Sequence, residues 1–279
     1  ASIAIAVNED GTYDVHCATA EMGQGAWHSI RLLAAELLNV EPGRVHFPVP
    51  DTDIVPYDTR TTSSRSTYMM GRALIEAVRD LRKRGEFGYG ECVNKGGLDP
   101  DSGQGIASTH WHQGAGAAEV RVDEETGKFE VVKLYTSIYA GRVVNRPGAE
   151  LQNEGSMIMG LGTTLFEEIT FADGQVMNAN LSDYNIPAAG DLPDLAYDLV
   201  EREGVEIHGL GETALPPVPA AIGNALHSLG IHVTELPMSA ERVLHAIDRR
   251  NAGAQSLTPE ATTDEEVAAQ SEQMAKGSD

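Results

Sequence analysis

The chain has 279 residues, of which 41% are hydrophobic, so it is long enough for one large domain or two smaller ones with genuine cores. Its 42 acidic and 20 basic residues give a net charge of -22, which argues against nucleic acid or an anionic membrane as a partner, because both bind basic surfaces. No apolar run approaches the roughly 20 residues of a membrane span and the N-terminus lacks the regions of a signal peptide, so we expect a cytoplasmic protein without membrane insertion.

Residues 1–88 predict a small unit of strands and helices. Residues 2–20 are two β-rich runs around an Asn-Glu-Asp-Gly turn, which predicts a hairpin. Residues 26–40 repeat apolar side chains at helical spacing, and a second helix is expected from Tyr68 to Arg84, after the short strand RVHFPVP. Residues 89–108 are rich in glycine and lack periodicity, so we expect them to connect two subdomains.

The second half of the chain predicts another unit of the same kind. A hairpin is expected over residues 116–141, a helix over residues 149–168 and a further hairpin around FADGQVMN. Residues 205–230 predict a strand, a Gly-rich turn and a Pro-led helix. The segment SAERVLHAI then predicts a last helix, with Ser239 as its N-cap.

These elements predict an α+β fold, in which two subdomains of mixed β-sheet are covered by helices. The first subdomain is expected over residues 1–88 and the second over residues 109–250. Residues 251–279 contain few large apolar residues and many charges, so we expect an acidic tail that is disordered or lies on a partner.

The cysteines and histidines give little support to a metal site. Cys17 and Cys92 are too few for a disulfide framework and lack the clustered spacing of zinc or iron-sulfur ligands. His110 and His112 form the close histidine pair of the sequence, but no third ligand lies near them. Ordinary polar or packing histidines are therefore favoured over metal ligation.

Three junctions between elements share one design. The Gln24 loop (EMGQG, residues 21–25), the serine loop (TTSSRST, residues 61–67) and the Glu212 loop (GLGE, residues 209–212) each place small residues before a predicted helix. Helix N-termini expose unpaired N–H groups that bind anions, so the three loops are candidates for one shared ligand site. The alternative is that the glycines end strands and the hydroxyl residues cap helices.

The three loops, together with VDEETGKFEVVKLY, GLGTTLFEE and the continuation of GLGE into TALPPVPAAIGNAL, resemble the C-terminal part of a known family of subunits. This family is the molybdenum-binding subunit of xanthine dehydrogenases and aldehyde oxidases. The resemblance extends over nearly the whole chain, to about Arg250. Each glycine motif alone is weak, but their order and spacing are specific.

The resemblance implies a role for individual residues of all three loops. The residues that the resemblance implies as cofactor-binding are Gly23, Gln24, Gly25, Ser64, Arg65, Ser66 and Gly211. Gln24 corresponds to a glutamine that donates to the pterin beside the metal, and the segment from Ser64 to Ser66 holds the phosphate region. Ser63 falls where the family has a small residue lining the substrate pocket. Glu212 corresponds to the catalytic glutamate.

The resemblance also implies the cofactors and the reaction. The cofactor is a molybdenum-pterin group, expected as molybdopterin cytosine dinucleotide, whose molybdenum is held by the pterin and by no protein side chain. An electron-poor carbon of an N-heteroaromatic compound or aldehyde is hydroxylated with oxygen from water, while the glutamate acts as general base. Electrons pass to [2Fe-2S] clusters and FAD, which are expected on an iron-sulfur subunit and an FAD subunit.

The sequence departs from the family because the N-terminal half of the molybdenum-binding subunit is not in it. We expect a naturally split subunit, as in nicotinate dehydrogenase-like enzymes, with a partner chain that carries the N-terminal half; a fragment of a longer subunit is the alternative. The alternatives are a noncatalytic scaffold subunit and an aldehyde- or CO-oxidising member. A nucleotide-binding turn at MGLGTTLFEE is a weaker hypothesis, because it lacks the P-loop lysine and the third glycine of a dinucleotide fingerprint.

Overall fold

The structure is a computed structural model that describes residues 1–253, apart from residues 94, 95, 109, 203 and 205. The strands are β1 Ser2–Val7, β2 Tyr13–Cys17, β3 Val45–His46, β4 Phe87–Glu91, β5 Gly97–Leu98, β6 Gly105–Ile106, β7 Gly114–Val122, β8 Phe129–Gly141, β9 Phe171–Ala172, β10 Gln175–Val176 and β11 Asp194–Glu201. The α-helices are α1 Ala26–Leu38, α2 Ser66–Arg84, α3 Arg146–Leu165, α4 Pro217–Ser228 and α5 Ala240–Asn251. Short 3-10 helices lie at Pro42–Arg44 and Ala189–Asp191.

The first unit is a four-stranded sheet, in the order β3-β2-β1-β4, with α1 and α2 packed on it. The strand pairs are antiparallel except for β2 and β3, which run parallel. Its core contains Ile3 and Ile5 from the sheet, Ile30 from α1, and Met70 and Leu74 from α2, all essentially buried. The predicted hairpin and both helices are confirmed, and α2 begins two residues before the predicted start.

The second unit is a three-stranded sheet in the order β11-β8-β7, in which β7 and β8 are antiparallel and β8 and β11 are parallel. Helices α3, α4 and α5 enclose its core, which includes Leu134, Met157, Leu161, Ile222 and Ile247. Both hairpins predicted in this half are confirmed. The predicted α+β class with mixed sheets is therefore confirmed.

Strand β4 lies partly within the segment that the sequence predicts to be a connection. Its aromatic side chains, Phe87 and Tyr89, are exposed, whereas Gly88 and Gly90 are buried against α2. A Cβ on Gly90 would overlap the carbonyl oxygen of Ala73, so glycine permits the helix to lie directly on the strand. Strand β4 therefore lacks the alternation of large apolar and polar residues that identifies a strand in a sequence, so the sequence pattern does not predict it.

The close contact between β4 and α2 predicts a sharp loss of stability in Gly90→Ala. The added methyl group would force the strand away from the helix backbone, which we expect to lower the free energy of unfolding by about 1–3 kcal/mol. Gly97→Ala is the matched control, because no atom lies within 4 Å of the Cβ it would add. Denaturant unfolding of the full chain measures the difference, and equal stability of the two variants would contradict this packing.

One other expectation about the second half is revised. The described residues directly before GLGE, 206–208, do not form a regular strand, and Ile207 makes an isolated bridge to Gly141. A strand that the sequence analysis does not predict, β11, extends the sheet by pairing with β8. Ser239 caps α5 as predicted, since its side chain accepts a hydrogen bond from Arg242 N at 3.3 Å. Most of the predicted tail, residues 254–279, lies outside the described residues.

Candidate functional site

The three loops meet around one cavity of about 310 Å³ between the two units. The sequence-predicted residues that line it are Gln24, Ser63, Ser64, Ser66, Gly211 and Glu212. The N-terminal part of α3 closes another side of the cavity, through Asn145, Gly148 and Gln152. A larger cavity, of about 990 Å³, lies beside the first, and Ser63, Ser64 and Glu212 border both.

The Gln24 loop is folded around the carboxylate of its own first residue. Glu21 accepts hydrogen bonds from the amides of Gly23, Gly25 and Trp27, at distances of 3.0, 2.9 and 3.0 Å. Gly23 and Gly25 have φ angles of 96° and 76°, in the left-handed region that favours glycine, so the chain can curl around this carboxylate. Glu21 therefore already binds the amides of Gly25 and Trp27 at the start of α1, so these two amides do not face a ligand.

Gln24 lines the cavity with a side chain that its own loop holds in place. Its Oε1 accepts from Met22 N at 2.6 Å, and its Nε2 donates to Ala20 O at 2.9 Å. A carboxamide nitrogen carries two N–H groups, and the bond to Ala20 uses one of them. Gln24 can therefore donate to a ligand in the cavity without leaving its present position.

The serine loop presents an open helix N-terminus to the cavity. Helix α2 begins at Ser66 without a side-chain cap, whereas Asn145 caps α3 and Ser239 caps α5. Ser63 and Ser64 have φ angles of 53° and 51°, a left-handed conformation that turns the chain tightly into the helix. The loop therefore does not cap itself with a side chain, and its amide and hydroxyl groups suit an anion.

Arg65 lies outside the smaller cavity and holds the serine loop from behind. Its guanidinium donates to Asp58 Oδ1 at 2.9 Å and to the carbonyl oxygen of Arg60 at 2.6 Å. The Asp58 side chain is 2% exposed, so the ion pair is nearly sealed from solvent. This contact fixes the loop, and Arg65 borders the larger cavity together with Ser63 and Ser64 but does not line the smaller one.

Glu212 is an exposed residue at the border of the two cavities. Among the described residues that line the smaller cavity, Glu212 carries the one carboxylate and Arg142 the one guanidinium. The Glu212 amide donates to Ser64 Oγ at 2.8 Å. A Cβ on Gly209 would overlap the Ser64 carbonyl oxygen, so the Glu212 loop and the serine loop are in direct contact.

Two residues that support the Glu212 loop were not singled out for that role in the sequence. Gln152 Nε2 donates to the Gly211 carbonyl oxygen at 2.7 Å, and His112 Nδ1 lies 3.0 Å from the Gly209 carbonyl oxygen. Gln152 belongs to no motif that the sequence analysis used. Its contact is not visible in the local sequence, because its partner lies 59 residues away along the chain. The His110–His112 pair was noticed in the sequence, and His110 Nε2 lies 3.4 Å from the Ser63 carbonyl oxygen.

The donors around the smaller cavity fit an anionic, hydrogen-bonding group. The uncapped amides of α2, the serine hydroxyls and the free N–H of Gln24 all belong to residues that line it. In the part of the chain that the structure describes, no group of three or more His, Cys, Asp or Glu side chains is arranged to hold a metal ion.

Comparison with known proteins gives the same family. The family described as the molybdopterin cofactor-binding domain matches residues 1–87 and 85–193. A probable xanthine dehydrogenase subunit of Bacillus subtilis is 29% identical over an alignment 290 residues long. The alignment covers 88% of this chain and 39% of that protein. A nicotinate dehydrogenase subunit of Pseudomonas putida is 31% identical over 180 residues, which cover 64% of this chain and 14% of that protein.

Among solved structures, the aldehyde oxidoreductase from Desulfovibrio gigas matches with a TM-score of 0.79 and 26% identity, over 88% of this chain and 30% of that one. The chain thus spans less than half the length of the relatives it matches. The sequence and structure comparisons agree with each other and with the fold described above. The chain belongs to the family of molybdopterin cofactor-binding domains, as part of the molybdenum-binding subunit of the xanthine dehydrogenase and aldehyde oxidoreductase family.

Proposed function

We propose that this chain supplies one side of a molybdenum-pterin site in a multi-subunit hydroxylase or dehydrogenase, with Glu212 as its general base. The convergence of Gln24, the serine loop and Glu212 on one cavity carries this proposal. The uncapped end of α2 would hold the phosphate region, while Gln24 would donate to the pterin. When bound, the molybdenum-pterin group accepts the two electrons of the oxidation.

Glu212 would take the proton of the attacking, water-derived oxygen. A carboxylate at the border of two cavities can face the bound group on one side and a substrate on the other. Ser63 borders both cavities as well and would line the substrate pocket. Proton removal by a positioned base contributes about 10²- to 10⁴-fold to a rate, so Glu212 would carry a large part of the catalysis.

The substrate class and the partners extend this proposal. We propose an electron-poor carbon of an N-heteroaromatic compound or an aldehyde as the site of hydroxylation, and molybdopterin cytosine dinucleotide as the form of the cofactor. Electrons would leave through [2Fe-2S] and FAD subunits in the cytoplasm. Relatives named as dehydrogenase subunits support such an assembly. Among the described residues, no helix has the length and apolar character that a membrane crossing needs.

The test is metal and pterin analysis of this chain with and without the rest of its subunit. The cavity described here offers contacts from one side, so the 279-residue polypeptide expressed alone should purify without pterin. The complex should contain molybdenum and pterin and oxidise a heterocycle or an aldehyde. Stoichiometric molybdenum in the isolated chain would contradict a shared site, and a loaded complex that is inactive on all such substrates would favour a noncatalytic scaffold.

A further inference from the structure

The peptide group between Gly211 and Glu212 is hydrogen-bonded at both ends by side chains from distant parts of the chain. Gln152 Nε2 donates to its carbonyl oxygen at 2.7 Å, and Ser64 Oγ accepts from its amide at 2.8 Å. Gln152 belongs to α3, in the second unit, and Ser64 belongs to the serine loop, in the first. The orientation of the peptide that leads into Glu212 therefore depends on both units.

The elements that carry these two side chains leave little room for adjustment. A Cβ on Gly160 of α3 would lie 2.8 Å from the Leu215 carbonyl oxygen, so the helix approaches the segment after Glu212 closely. On the other side, the Ser64 carbonyl oxygen lies directly against Gly209. Gln152 itself is half-buried, which limits competition by water for its bond to Gly211.

We propose that Gln152 is a positioning residue for Glu212, which it holds in a catalytic orientation by fixing the Gly211 carbonyl oxygen. The inference rests on the proposed function of Glu212. Without the Gln152 amide, the peptide group between Gly211 and Glu212 keeps only its hydrogen bond to Ser64 Oγ and can change its orientation. The Glu212 carboxylate would then leave the position from which it takes the proton. A misplacement of about 1 Å can cost about 10²-fold in rate, even when the substrate still binds.

The test compares Gln152→Leu and Gln152→Glu with the wild-type chain in the assembled complex. Both variants remove the donor, and the second keeps the length of the side chain. We expect kcat to fall about ten- to a hundredfold while KM stays within about twofold. The amide of Glu212 should exchange its hydrogen about fivefold faster, as expected for one lost hydrogen bond. Molybdenum content should not change.

Gln175→Leu is the matched control, because Gln175 is exposed on β10, away from the cavities. It should leave kcat, exchange and molybdenum content at the wild-type values. Unchanged exchange at Glu212 in both Gln152 variants would overturn the proposal, and so would a loss of molybdenum, which would make Gln152 a cofactor ligand. Hydrogen exchange measures the opening of the Gly211–Glu212 peptide and needs no turnover. A failure of the general-base proposal would be detected separately, as normal turnover in Glu212→Gln.

Discussion

Glu212→Gln should lower turnover by about 10²- to 10⁴-fold, the range that positioned general bases contribute. The substitution keeps the size of the side chain and removes its ability to take a proton. Because the bond to Ser64 comes from the main-chain amide of residue 212, the loop should stay in place. Molybdenum and pterin content should therefore equal that of the wild-type complex, and steady-state kinetics on loaded enzyme measures the effect.

Glu241→Gln is a suitable control for this substitution. Glu241 lies in the first turn of α5 and is exposed, so it is a helix-start acid that does not border either cavity. Its loss should leave turnover unchanged. If Glu212→Gln also retained most of its turnover with the cofactor fully loaded, Glu212 would be an exposed loop residue without a role in proton transfer, and its catalytic assignment would be wrong.

Ser64→Asp should prevent the cofactor from binding, so that the complex purifies with little molybdenum or pterin. The substitution places a negative charge in the loop where the phosphate region is proposed to lie. Two like charges that are close together repel each other more strongly in a cavity than in bulk water. The position is also crowded, since a Cβ on Gly211 would lie 3.0 Å from Ser64 Oγ. Metal and pterin analysis of the assembled complex measures the loss.

Two further substitutions at Ser64 separate charge from size and from the hydroxyl group. Ser64→Asn has nearly the volume of aspartate without its charge, and asparagine tolerates the left-handed conformation of this residue. Ser64→Ala removes the hydroxyl group, which accepts from the Glu212 amide, and the lost hydrogen bond should cost about 1 kcal/mol. Both should retain more cofactor than Ser64→Asp. Full molybdenum occupancy in Ser64→Asp would show that the serine loop does not hold the anionic part of the cofactor.

The sequence was sufficient for the helices and hairpins, because their apolar spacing and turn residues are local. Strand β4 was hidden because glycines occupy its buried positions, and β11 because its side chains are mostly exposed or half-buried. In both cases the neighbouring element determines the structure, through a close helix contact for β4 and through parallel pairing with β8 for β11. Local propensity does not report such contacts.

The same distinction applies to the candidate site. The three loops could be found because each carries a recognisable run of small residues before a helix. Gln152 could not, since its contact with Gly211 depends on where α3 crosses the Glu212 loop. The covering of α1 by Glu21 had a possible signal in the sequence, an acidic residue shortly before a helix start.

The difference between the starts of α1 and α2 has a consequence for the charge that each one favours. The carboxylate of Glu21 accepts a hydrogen bond from Trp27 N in the first turn of α1, whereas α2 begins without a side-chain cap. An elongated molecule with an anionic end and a neutral ring system would be repelled from the first helix end and attracted by the second. The two helix starts are therefore electrostatically unequal, and an anionic group is favoured at the start of α2 over the start of α1.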